Sequence, residues 1–152
     1  MYLTPSGFPY DKAGRLIRVQ YPGGKTVSYI YDAAGNRTRL TYPDSTYITY
    51  DYDELNRMTA VRNSAGTALA SYTFDARSRR TGLTYTNGAS AAYSYDTASR
   101  LSYIDNQTNN GQHKYSYMYD NVGNWSLEYR VYAGRTGPSR LKAELRTGTA
   151  AA

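Results

Sequence analysis

The sequence has 152 residues, 20% of them charged, a net charge of +6, 19 Tyr and no Cys. That length suits one domain. The lack of cysteine excludes a disulfide framework and a thiolate metal site, and one histidine excludes a multi-histidine metal centre. Nor is there an apolar run long enough for a membrane-spanning helix. Leucine, isoleucine, valine and phenylalanine are scarce, which in a strongly charged chain would indicate disorder. Here the charge is modest and tyrosine supplies the apolar surface. A tyrosine ring buries a large area while its hydroxyl stays hydrogen-bonded, which suits a half-exposed sheet. No cofactor or metal is expected.

The chain opens on Met1-Tyr2-Leu3-Thr4-Pro5, which does not begin a signal peptide, and residues 1–7 read as a lead-in. An aromatic-aspartate pair then recurs at Tyr10-Asp11, Tyr31-Asp32, Tyr52-Asp53, Phe74-Asp75, Tyr95-Asp96 and Tyr119-Asp120. A fixed period near 21 residues is the signature of a repeat architecture. Three residues before each aspartate stands another aromatic: Phe8, Tyr29, Tyr50, Tyr72, Tyr93 and Tyr117. Four residues after it comes Arg or Asn: Arg15, Asn36, Arg57, Arg79, Arg100 and Asn124. Eight after it comes an aliphatic residue, Val19, Leu40, Val61, Leu83 or Ile104, with Glu128 in the sixth repeat.

Aromatics two apart share one face of a strand, so the residues at minus three and minus one should line a common surface. The aspartate opens a turn, with glycine at its fourth position in Gly14, Gly35 and Gly123. An aspartate there accepts a hydrogen bond from the backbone N–H two residues on. Asn56 tolerates the left-handed backbone that glycine would adopt, while Ser78 and Ser99 should give looser or strained turns. A second breaker follows about ten residues later: Pro22-Gly23-Gly24, Pro43-Asp44, Ser64-Ala65-Gly66, Asn87-Gly88 and the longer Asn106 to Gly111 stretch. Asn87-Gly88 signals a two-residue hairpin. Connections this short allow only antiparallel neighbours.

The fold class is therefore all-β: an antiparallel meander of hairpins with about 11–12 short strands, open or partly curled, over residues 8–132. In the sixth repeat, Asn124-Trp125-Ser126-Leu127-Glu128-Tyr129 is shifted by one against the aliphatic register, which would flip its faces or require a bulge. Residues 133–152 read as a poorly ordered tail, flexible or weakly helical around Leu141-Lys142-Ala143-Glu144-Leu145-Arg146.

With these registers in view the chain resembles the RHS/YD-repeat family. The motif stands here as Tyr10-Asp11-Lys12-Ala13-Gly14-Arg15-Leu16, then Tyr21-Pro22-Gly23-Gly24, then Tyr29-Ile30-Tyr31-Asp32. Similar repeats occur in bacterial RHS toxins, toxin-complex shell components, wall-associated proteins and teneurins. The resemblance implies a β-ribbon like an arc of an RHS shell, and an extracellular or envelope setting. It also implies a structural and binding role. Six repeats are few for a shell, and the Asp-Pro of the family's self-cleaving segment does not occur here.

Aspartates and arginines demanded by every repeat are structural first: the aspartate fixes the turn, and the arginine can pair with it or stack on a tyrosine face. Carboxylates outside the motif are free for other work, and Asp51, Glu54 and Asp105 are the candidates for a glycoside hydrolase, the main enzymatic alternative. His113 reads as a solvated loop residue. Tyr29, Tyr50, Tyr93, Tyr117 and Trp125 are the candidate binding residues, with carbohydrate, a protein, or further YD repeats of a parent protein as partners. For Trp125, a plug for the last strand is favoured over stacking on a sugar. Sheet edges left unpaired favour homo-oligomers. Interleaved Tyr and Arg also fit single-stranded nucleic acid, but the charge is spread by the repeat, with Arg79-Arg80 its densest cluster, which disfavours that reading.

Overall fold

The structure, a computed structural model, describes the backbone of residues 9–132 and 143–148 and the side chains of residues 9–127. Phe8, the first of the minus-three aromatics, lies outside them, as do residues 133–142 and 149–152 of the tail. Twelve strands run in chain order: β1 (Arg18–Gln20), β2 (Thr26–Tyr31), β3 (Arg37–Thr41), β4 (Tyr47–Tyr52), β5 (Met58–Asn63), β6 (Ala68–Phe74), β7 (Arg80–Tyr85), β8 (Ser90–Tyr95), β9 (Leu101–Thr108), β10 (Gly111–Tyr119), β11 (Trp125–Tyr132) and β12 (Ala143–Gly148). There is no helix among the described residues. Strand order follows chain order from β1 to β12 without a crossover, the open antiparallel meander that the short connections require. Contacts divide the chain into two compact units, Met1–Ser71 and Tyr72–Ala152, with residues of β6 in both.

One turn geometry serves both kinds of connection. At the aspartate turns, Asp11 N–H donates to Arg15 C=O at 2.9 Å and Gly14 N–H donates back to Asp11 C=O at 3.0 Å. The same pair of bonds closes the turns that begin at Tyr21, Tyr42, Asn63 and Tyr85. The fourth residue is left-handed in each: Gly24 (φ 78), Ser45 (φ 67), Gly66 (φ 80) and Gly88 (φ 83). The Asn87-Gly88 pair is thus the second half of a four-residue turn rather than a two-residue hairpin. Its asparagine is held there because Asn87 Oδ1 accepts Ala89 N–H at 3.0 Å. The Asn106 to Gly111 breaker shrinks to Asn109-Asn110, because Thr108 pairs with Gly111 and Asn106 with His113. His113 accordingly sits in the middle of a strand, not on a loop.

Ser78 and Ser99 do not loosen their turns. Ser78 N–H and Ser99 N–H reach Asp75 C=O and Asp96 C=O at 3.0 Å, as tight as any glycine turn. The strain is taken by the backbone instead, at φ 60 and φ 65.

Cross-strand register explains the minus-three and plus-eight positions: they are partners. Tyr29 faces Leu40, Tyr50 faces Val61 and Tyr93 faces Ile104. A bulge between minus two and minus one, at Ile30/Tyr31, Asp51/Tyr52 and Ser94/Tyr95, inserts one residue on the returning strand. The sixth repeat has no such bulge between β10 and β11, so Tyr117 faces Leu127, one position earlier. The displaced pattern of Trp125 to Tyr129 thus keeps Leu127 on the tyrosine face. Between β10 and β11 it needs neither a flip nor a bulge, because it omits the one carried at β2/β3, β4/β5 and β8/β9. A register shift falls instead between Trp125 and Leu127 against β12.

Leu145, Glu144 and Ala143 pair with Leu127, Glu128 and Tyr129, so the segment read as weakly helical is a strand over Ala143–Gly148. A helix of one or two turns is marginal alone, whereas the edge of β11 offers backbone partners already in place. Burial is thin throughout. Among the described residues the buried apolar ones are Val19, Ala60, Ala70 and Ala91, and no large side chain is fully buried.

Backbone strain at the serines gives a direct expectation. Ser78→Gly and Ser99→Gly should each stabilise the fold by up to about 1 kcal/mol, and Gly35→Ala should destabilise it by about 1–2 kcal/mol. Urea unfolding followed by circular dichroism reads both signs.

Candidate functional site

The side-chain chemistry concentrates where one repeat meets the next. Asp11 Oδ1 accepts the backbone N–H groups of Ala13 and Arg15 at 2.9 Å, and its Oδ2 accepts Arg15 Nε at 2.7 Å. Asp53 with Arg57 and Asp75 with Arg79 repeat this set, and Asp96 with Arg100 shows the two arginine bonds. Asn36 and Asn124 take the arginine's place toward Asp32 and Asp120 through their side-chain amides. Arg or Asn stands at plus four because the second carboxylate oxygen must find a donor there.

The arginine is then shared with the following repeat. Arg15 lies 4.8 Å from the centre of the Tyr31 ring, Arg79 4.5 Å from Tyr95 and Arg100 4.2 Å from Tyr119. Arg15 Nη1 also donates to Asp32 C=O at 2.9 Å. The tyrosine hydroxyl donates back to the carbonyl of the residue after the arginine: Tyr31 to Leu16 C=O, Tyr95 to Arg80 C=O, and Tyr119 to Leu101 C=O, at 2.8, 2.8 and 2.9 Å. Tyr52 does the same to Arg37 C=O at 3.0 Å. Phe74 occupies the equivalent position without a hydroxyl. The tyrosine-aspartate dipeptide is therefore half of a link whose other half belongs to the preceding repeat.

Electrostatics follow from these bonds. All six motif aspartates sit below the ordinary carboxylate range. For Asp11 and Asp75 the leading cause is the backbone N–H of the residue at plus four, and for Asp32 and Asp120 it is the asparagine amide. In Asp53 and Asp96 desolvation is the largest single influence and pushes up, but the bonds and charge of Arg57 and Arg100, with the Leu55 and Ala98 backbone N–H groups, together outweigh it.

Of the candidate binding residues, Tyr29 and Tyr50 are brought together. The bulge turns Arg37 onto their face, and its guanidinium lies 5.7 Å from the Tyr29 ring and 5.0 Å from the Tyr50 ring. The rings of successive hairpins are bridged by arginine here rather than laid one on another. Tyr117 and Trp125 meet at 6.4 Å with their planes tilted by 57°. Trp125 stays 38% exposed, so it rests on the sheet rather than plugging it. Tyr93 is half-buried opposite Ile104.

Each candidate carboxylate has its own surroundings. Asp51 is tied to Arg62 Nε at 2.6 Å. Asp105 accepts Gln112 Nε2 on both oxygens at 2.8 Å, with Lys114 Nζ at 3.7 Å. Glu54 is exposed on the Asp53 turn. Among the described residues no group of three or more His, Asp or Glu could hold a metal ion, and no helix is long and apolar enough to cross a membrane.

The RHS Repeat family model matches residues 10–47 and 38–68, the stretch that holds the first of these links. Over that stretch the chain is similar to RHS repeats. Its fold matches solved structures as well. One is the Photorhabdus luminescens Tc holotoxin pore, with a TM-score of 0.70, 18% identity and 90% of this chain covered. Others are TcdB2-TccC3-Cdc42, with a TM-score of 0.68, 18% identity and 82% coverage, and TcdB2-TccC3 without its hypervariable C-terminal region, at 0.69, 18% and 82%. This chain spans 8% of the length of each of those chains. A comparison with curated proteins found no significant match. The arginine at plus four, expected to pair with the aspartate or to stack on a tyrosine face, does both, and the ring it meets comes from the next repeat.

The depressed aspartates set a pH dependence. A carboxylate lowered in the fold stabilises it above the unfolded pKa of about 3.9, and that stabilisation disappears as pH falls through the lower folded values. Urea midpoints measured from neutral pH downward should hold steady above about pH 5 and fall steeply below about pH 4. Asp75→Asn, which keeps an acceptor oxygen but not the charge, should flatten part of that fall.

Proposed function

We propose that this chain is a structural stretch of a longer, secreted or envelope-associated RHS-repeat protein. In that reading it pairs edge to edge with further repeats and offers its tyrosine-rich face to protein contacts. The observation that carries the proposal is the unfinished state of a single repeat. The Leu16 carbonyl and the Arg15 guanidinium find Tyr31 and the Asp32 carbonyl only when the next repeat arrives. A repeat bonded this way is completed by its neighbours, as in quasi-one-dimensional repeat proteins. The likeness to far longer chains supports the same reading.

Protein is favoured over sugar along the first unit because arginine occupies ring faces there. Arg37 serves Tyr29 and Tyr50, and Arg15 serves Tyr31. A sugar ring needs such a face bare, whereas a protein surface can pair with the guanidinium edges. The structural role needs no catalytic group, consistent with the engagement of Asp51 by Arg62.

Sedimentation velocity over a wide concentration range tests the proposal. The weight-average mass should rise reversibly with concentration as strand edges pair, while the β-type circular dichroism is retained. A mass that stays at the 17.0 kDa of one chain throughout would count against it.

A further inference from the structure

We propose that the open edge at Tyr10 binds an aspartate turn that ends in arginine, of the Asp-x-x-Gly-Arg kind, with its following strand. This rests on the edge-pairing reading above and names the partner that the edge selects.

The edge is open in its backbone. Tyr10 bridges Leu16, and the flanking bonds run from Ile17 N–H to Pro9 C=O and from Asp11 N–H to Arg15 C=O. In an antiparallel pair such bonds belong to the neighbours of the bridged residue, so the N–H and C=O of Tyr10 point away from Leu16. In the next repeat that outward side is filled: Tyr29 N–H donates to Ile17 C=O at 2.9 Å. A strand can be added at Tyr10 in the same way.

The side chain is open as well. Tyr10 is 59% exposed, whereas Tyr31, Tyr52, Tyr95 and Tyr119, at the same place in later repeats, are half-buried. Tyr31, Tyr95 and Tyr119 each take a guanidinium on the ring and give a hydroxyl bond to the preceding repeat. Among the described residues Tyr10 has neither. Asp32 C=O accepts Arg15 Nη1 as well as Gly35 N–H, while Asp11 C=O accepts Gly14 N–H alone. Ring face, hydroxyl and carbonyl are the groups that a preceding arginine and its next residue use in the other links.

The fourth position of the turn selects arginine over asparagine. Asn36 links forward through Asn56, whose Oδ1 accepts its amide at 2.8 Å. The turns that follow Arg15, Arg57, Arg79 and Arg100 carry only Gly or Ser at that position. Gly14 belongs with these, so an asparagine turn docked at Tyr10 would find no side-chain acceptor. A guanidinium needs only the ring face and the Asp11 carbonyl. The last aspartate turn of a second copy would present Asn124, whose amide goes to Asp120, and would leave the Tyr10 ring uncovered.

Two peptides test this by titration into the full chain, read by NMR and calorimetry. One has the sequence of residues 11–21, and the other carries Arg15→Asn within it. The first should saturate with a Kd of about 1 mM or tighter, and the second should bind about fivefold more weakly. Charge alone predicts the opposite, because the chain carries +6 and the substituted peptide has lost a cation. Tyr10→Leu in the chain should weaken the first peptide by about fivefold with unchanged thermal unfolding, and the two peptides should then bind alike. Tyr42→Leu, at a turn between β3 and β4, should change nothing. Equal affinity of the parent chain for both peptides overturns the proposal and leaves edge pairing standing. Saturation by neither overturns it too, and edge pairing is then judged by sedimentation alone. A Tyr10→Leu chain that binds the first peptide as the parent does also overturns it.

Discussion

The bond on which the rest of this fold depends is the one between a motif aspartate and the arginine four residues later. The aspartate has two oxygens and uses both. One closes its own turn through backbone N–H groups, and the other fixes the guanidinium of Arg15, Arg57, Arg79 or Arg100. An arginine held at 2.7 Å is no longer free to sample solvent, so its flat face becomes part of the sheet surface. Where the following tyrosine ring is laid against it, the hydroxyl reaches back to the carbonyl of the residue next to the arginine. A local turn and a contact 15 residues away are thereby made by the same side chains.

Such links matter more here than in an ordinary domain because so little is buried. With alanines and one valine as the buried residues, area removed from water contributes modestly, and polar links with rings and guanidinium groups carry a larger share. It also explains why asparagine can replace arginine in two repeats. Asn36 satisfies Asp32 and then bonds to Asn56 Oδ1 at 2.8 Å, joining one turn to the next by an amide route. Arg77, reaching Ser99 Oγ at 3.3 Å, is another such bridge between turns.

Much of this was legible in the sequence, and the reason is the repeat. A demand made six times leaves a visible register, so the strands, the aspartate turns and the shared tyrosine face followed from period and alternation. What stayed hidden was of two kinds. Some features depend on residues that are not neighbours in sequence, such as Arg37 between Tyr29 and Tyr50, or β12 added to the edge of β11. Others depend on backbone choices that composition does not dictate. Ser45 adopts φ 67 after Pro43-Asp44 because the Asp44 carboxylate bonds to Thr46 N–H and Oγ1. The bulge missing from the sixth repeat was visible only as a displaced Leu127. Asp51 and Asp105 lie outside the motif, yet the sheet gives each its own partner, Arg62 and Gln112.

The central claim is that arginine and tyrosine of successive repeats are energetically coupled, and a double-mutant cycle on Arg79 and Tyr95 measures this directly. Arg79→Gln, Tyr95→Leu and the double variant would be compared with the parent chain by urea unfolding at neutral pH. Coupling of about 0.5–2 kcal/mol, with the double variant losing less than the sum of the singles, is the expected result. Losses that simply add would contradict it and reduce the link to two independent contacts.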